Sequence, residues 1–85
     1  MQTIMIDGSK YSTARELHLA LKNMLSLPDY YGMNADALND ILGERTEPVH
    51  LWILRTGSGE VASAVRIISA VIRDNGGSVK ELVSI

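Results

Sequence analysis

The sequence predicts a small α/β domain: a three-stranded parallel sheet with helices packed against it. Three observations predict it. Residues 49–54, Val-His-Leu-Trp-Ile-Leu, form an almost unbroken apolar run rich in strand formers, as suits a strand covered on both faces of a parallel sheet. Two longer segments carry apolar residues at helical spacing, at 17, 20, 21, 24 and 25 and again at 61, 64, 65, 68, 71 and 72. Strand-like stretches stand at both ends, so the order reads β-α-α-β-α-β, and right-handed crossovers turn that order into parallel strands.

Each element has a local reason. Thr3 to Ile6 read as the first strand, closed by Asp7-Gly8 as a turn signal. Thr13-Ala14-Arg15-Glu16 fits a capping box, in which Thr13 and Glu16 satisfy each other's backbone donors, and this starts a helix over about 13–25. Pro28 forbids its continuation. In the loop that follows, residues 28–33, Gly32 is expected in a backbone conformation closed to other residues. Asn34 suits the N-cap of a second, short helix with Leu38, Ile41 and Leu42 inward and Gly43 as its stop. Pro48 precedes the central strand, which places Trp52 in the core and His50 in a buried strand. Ser58 is a candidate cap for the long third helix, with Glu60 favourable near its N-terminal dipole and Asn75-Gly76-Gly77 as its end. Val79 to Ile85 read as the last strand, with Glu81 exposed or at an edge. The methionines, Met5, Met24 and Met33, read as packing, Met33 with some exposure.

Composition bounds the rest. At 85 residues the chain is one domain, 1–85, with one modest core. Hydrophobic residues make up 46%, an ordinary globular share. There is no cysteine, so disulfides and cysteine-based zinc sites are excluded. The N-terminus lacks a basic lead followed by an apolar run, and no stretch is long enough to span a membrane; the expectation is a cytoplasmic protein. The net charge of −2 weighs against direct nucleic-acid binding.

That charge is unevenly placed. Residues 23–44 contain Asp29, Asp36, Asp40 and Glu44 and no lysine or arginine, while all eight basic residues lie elsewhere. On a helix Asp36 and Asp40 share one face, about 6 Å apart at Cβ, and Glu44 extends the same stripe if the helix reaches it. A like-charge pair at this spacing costs an isolated helix roughly 0.2–0.5 kcal/mol, and no lysine one turn away answers either aspartate. Beside the helix start lie Tyr30 and Tyr31, amphipathic rings favoured at interfaces. Neighbouring loop residues point different ways, so one ring caps the core and the other, Tyr30, faces outward. Bare acids next to such a ring describe a surface built to receive cations from a partner.

The segment L-P-D-Y-Y-G-x-N-x-D-A-L-x-D-x-L, residues 27–42, resembles the barstar family of intracellular inhibitors of the ribonuclease barnase. The resemblance extends to the first strand ending at Gly8, to Leu17, His18, Leu21 and Lys22, to Pro48, and to the C-terminal helix-glycine-strand. It implies a barstar-like fold and an inhibitor that plugs a ribonuclease active site with the second helix and the loop before it. By position, Asp40 matches the aspartate that takes the place of an RNA phosphate, Asp36 a second aspartate that pairs with basic groups, and Tyr30 the tyrosine that packs on the catalytic histidine. The implied interface comprises Tyr30, Gly32, Asn34, Ala35, Asp36, Asn39, Asp40, Gly43 and Glu44. The chain also departs from the family. Asn39 stands where the family has tryptophan, Glu44-Arg45 replaces an aromatic, and a glutamate of the last helix has no equivalent.

The expected partner is a basic, barnase-like ribonuclease or related toxin, bound by a protein that is monomeric when free and holds neither cofactor nor metal. Two other classes compete with this reading. An enzyme would need His18 or His50 to join the carboxylates, yet His18 is expected on the outer side of the first helix, and no nucleophile, phosphate-loop or metal motif is present. A non-inhibitory interaction or regulatory module with a different basic protein partner is the alternative, since a fold alone does not fix a function.

Overall fold

The computed structural model describes residues 2–82. The elements among these residues are β1 (Gln2–Asp7), α1 (Ala14–Leu25), α2 (Ala35–Glu44), β2 (Val49–Arg55), α3 (Gly59–Asp74) and β3 (Ser78–Glu81), with a 3-10 turn at Gly8–Lys10. The three strands form one parallel sheet in the order β1-β2-β3, with Ile4 opposite Leu51 and Leu51 opposite Val79. This is the predicted α/β class and strand count. No helix among the described residues is long and apolar enough to cross a membrane.

The helix starts follow their sequence signals. Thr13 Oγ1 accepts from the Glu16 amide at 3.1 Å, and Glu16 accepts from the amides of Thr13 and Ser12 at 3.0 and 2.7 Å. Glu60, from the first turn of α3, accepts the Ala14 amide at 3.2 Å, so a residue of one helix caps another. Ser58 stands at the N-cap of α3 without a side-chain capping bond. At the far end of α3, Gly76 takes φ 84°, and the amides of Gly76 and Gly77 bond back to Arg73 and Ile72, a Schellman ending. Gly77 has a second reason to be glycine: a Cβ there would stand 2.0 Å from the Val49 carbonyl oxygen.

The core is one layer between the sheet and the helices. Ile4, Ile6, Leu51 and Ile53 of the sheet meet Leu17 and Leu21 of α1, Leu38 of α2, and Val61, Val65, Ile68 and Ile72 of α3, all buried. The sheet, however, is covered on one face only. Along β2, Val49, Leu51 and Ile53 are buried, whereas Trp52 and Leu54 are exposed, Trp52 at 40%. Met5, opposite Trp52 on β1, is exposed as well. Three expectations are thereby corrected: β2 is not covered on both faces, Trp52 is not core, and Met5 does not pack inward. Strand order explains it. When each new strand is added on the same side and each crossover has the same hand, every helix lands on the same face. His50 lies on the open face too, half-buried and paired with Ser78 Oγ of β3. Glu81 is exposed on edge strand β3, as expected; Val83 to Ile85, predicted to continue the last strand, lie outside the described residues.

Candidate partner-binding face

The acidic helix stands as predicted at its start and runs one residue past its predicted end. Asn34 Oδ1 accepts the Ala37 amide at 2.8 Å and so caps α2. Gly43 does not stop it; the helix continues through Glu44, and Arg45 is its C-cap. Glu44 therefore joins Asp36 and Asp40 along one side, while Leu38, Ile41 and Leu42 are buried on the other. Asp36, Asp40 and Glu44 are all exposed, and none has an ion pair or side-chain hydrogen bond among the described residues. Arg45, the first cation after the acidic window, turns away from them: its Nη2 donates to the Leu25 carbonyl at 2.8 Å, satisfying an otherwise free acceptor at the end of α1.

The two tyrosines separate as expected. Tyr30 is 80% exposed and Tyr31 only 4%. Beneath the loop Tyr31 meets His18: Oη and Nδ1 are 2.6 Å apart, and the ring centroids 5.9 Å. His18 is buried, at 6% exposure, which corrects its expected place on the outside of α1. Burial lowers its pKa, and burial pushes the Tyr31 phenol up to about 12. Both groups are therefore neutral at physiological pH. Tyr31 Oη also lies 3.4 Å from the Asn34 carbonyl oxygen, and with the imidazole proton on Nδ1 both contacts are hydrogen bonds. His18 and His50 thus have separate partners in separate parts of the molecule, and they do not converge on the carboxylates.

The loop itself takes its shape at unexpected residues. Left-handed backbone falls at Ser26, with φ 51°, and Met33, with φ 57°, rather than at Gly32. Gly32 matters for space instead. A Cβ there would meet Asn34 Nδ2 at 3.3 Å and the Ala37 Cβ at 3.4 Å, and the Gly32 carbonyl accepts from that same Nδ2 at 3.1 Å. Met33 is half-buried against the core. Tyr30, Tyr31, Gly32, Ala37, Asp40, Ile41 and Glu44 line a shallow groove of about 390 Å³ between the loop and α2. It has an aromatic wall on one side and carboxylates on the other.

Residues 1–78 match the family described as Barstar (barnase inhibitor). The chain belongs to the barstar family. A curated relative from Bacillus subtilis (strain 168), named "Putative ribonuclease inhibitor YrdF", is 50% identical over 42 residues, covering 49% of this chain and 46% of that protein. The chain therefore spans about half the length of that relative in the match.

Within the barstar frame, the residues singled out from the sequence fall into two groups. Tyr30, Asp36, Asp40 and Glu44 present their side chains outward from the loop and α2. The others are committed to structure. Asn34 uses both ends of its amide on the chain, Ala35 is half-buried, and Asn39 Oδ1 accepts from Asn75 Nδ2 of the α3 cap at 2.9 Å. Gly43 is exposed opposite that same Asn75. Sequence reasoning missed His18 as a member of this region. Its signal was the phenol supplied by Tyr31 thirteen residues on, which only the fold brings under the loop.

Proposed function

We propose that this chain is a protein inhibitor of a barnase-like, guanyl-type ribonuclease, and that it blocks the active site with α2 and the loop before it. The observation that carries this reading is the row Asp36, Asp40 and Glu44, exposed and without ion partners among the described residues, beside the exposed ring of Tyr30. A ribonuclease must gather cations to hold a phosphate in its transition state. A helix that offers fixed carboxylates to that site matches its charge at no cost of breaking internal pairs. In this reading Asp40 occupies the phosphate position, Asp36 pairs with neighbouring basic groups, and Tyr30 packs on the catalytic imidazole. Gly32, Asn34, Ala35, Asn39 and Gly43 line the contact. The inhibitor is cytoplasmic, is monomeric when free and performs no catalysis of its own.

The family match and the name of the Bacillus subtilis relative support ribonuclease inhibition. The bond from Asn39 to Asn75 favours a second reading: a polar residue tied back to α3 stands where the family has tryptophan, so a different basic protein is the alternative partner. The deciding experiment is stoichiometric titration of barnase with the purified chain while RNA hydrolysis is followed, together with capture on a tagged copy. Complete inhibition near one equivalent is expected. Uninhibited hydrolysis and recovery of no nuclease would defeat the proposal.

A further inference from the structure

We propose that His18 is a positioning residue for partner binding: through Tyr31 it fixes the loop from below and so sets how Tyr30 and the start of α2 are presented. The consequence for binding rests on the inhibitor reading; the geometry does not.

Beyond the packing of Tyr31 and Met33 on the core, little ties the middle of the loop to the rest of the molecule. Among the described residues its other hydrogen bonds are short in sequence: Leu27 N to Lys22 O, Tyr31 N to Pro28 O, and Asn34 Nδ2 to Gly32 O. The ion pair of Lys22 with Asp29, at 3.5 Å, involves a fully exposed carboxylate and contributes little. The His18–Tyr31 contact is different in kind. It is 2.6 Å long, buried on both sides, and reaches from mid-loop to α1. It also continues through Tyr31 Oη to the carbonyl of Asn34, which accepts from the Leu38 amide at 3.0 Å inside α2. One relay thus joins α1, the loop and the first turn of the acidic helix. Met33, whose φ of 57° is unfavourable for a residue with a Cβ, needs such external support to stay in place. Holding a binding loop in its bound shape raises affinity without adding a contact to the partner.

The test uses four variants of the full chain. Tyr31→Phe keeps the ring and removes Oη. His18→Leu fills the space without a ring nitrogen. His18→Asn puts an amide nitrogen near the place of Nδ1. The fourth combines Tyr31→Phe with His18→Leu. Amide hydrogen exchange at residue 31, Ala37 and Leu38, whose amides bond within the loop and to Asn34, is read in the free chain, relative to exchange in α3, and inhibition of barnase is read beside it. We expect Tyr31→Phe and His18→Leu each to speed loop exchange and weaken inhibition by about five- to tenfold. The double variant should be no worse than either single, and His18→Asn should recover part of both effects. Loop exchange unchanged in Tyr31→Phe, effects that add in the double variant, or His18→Asn no better than His18→Leu would each overturn the proposal. If the wild-type chain leaves barnase active, the inhibitor reading fails separately, and loop exchange alone decides for or against His18.

Discussion

Asp40 is where a single carboxylate is expected to matter most. It lies midway along the outer row of α2, lines the groove with Tyr30, and is past the first turn, where the helix dipole would otherwise compensate its charge. Asp40→Ala should weaken inhibition by about 2–5 kcal/mol, a range to which the barnase–barstar complex itself contributed, with Asp36→Ala second. Competition titration against barnase measures both, and equal inhibition by wild type and Asp40→Ala would remove the phosphate-mimic mechanism. A second residue-scale expectation concerns pH. Because burial lowers the His18 pKa below 6.5, the unfolded chain takes up that proton first on acidification. Stability from this group is complete above pH 6.5 and is lost as pH falls toward the lower folded value. Tyr31 has the opposite sign: raised from 10.0 to about 12, it contributes fully below pH 10 and loses that contribution as pH rises toward 12. Urea midpoints across pH should show both slopes, and His18→Asn should flatten the acid one. Tyr30 outward and Tyr31 inward were legible because adjacent loop residues diverge. His18 was not: a polar residue on a helix is assigned to the wet side unless something distant covers it, and here Tyr31 does.

At the scale of elements, α2 depends on its cap. Asn34 accepts the Ala37 amide and donates to the Gly32 carbonyl, so it fixes both the helix start and the turn before it. Asn34→Ala should cost about 1–2 kcal/mol of stability, read by urea unfolding. The capping box of α1, the cap of α2 and the glycine ending of α3 were all legible, since each is a fixed residue type at a fixed offset. β2 was legible as a strand and illegible as to its faces. In Val-His-Leu-Trp-Ile-Leu the outward residues Trp52 and Leu54 are as apolar as the inward ones, so the alternation that betrays a half-covered strand is hidden. The difference has a measurable side. Leu51→Ala removes a fully buried side chain and should cost about 2–5 kcal/mol. Trp52→Thr, on the open face and 40% exposed with Lys80 over its ring, should cost less, about 1 kcal/mol. Equal losses in thermal melts would contradict the one-sided sheet.

The whole molecule distributes its charges unevenly. The acidic window, on the outer side of α2 and its loop, holds four carboxylates and no lysine or arginine, while the other six carboxylates share the rest of the chain with all eight bases. With a basic enzyme as partner, association should slow by on the order of tenfold or more as salt rises from low ionic strength, because screening shortens the reach of the attraction; the barnase–barstar pair is itself a standing example of that steering. Stopped-flow mixing at several salt concentrations reads it directly, and a rate indifferent to salt would speak against a basic partner of either kind. Strand number and class were legible from the order of elements. That all three helices share one face was not, since it follows from the spatial order of the strands, which local patterning does not encode. The division of labour within α2 has a further result. Leu38, Ile41 and Leu42 anchor the helix, and Asp36, Asp40 and Glu44 make no ion pair or side-chain hydrogen bond among the described residues. Outward positions can therefore be exchanged one at a time with little loss of fold, so the outer row of α2 is free to vary while the core beneath it stays fixed.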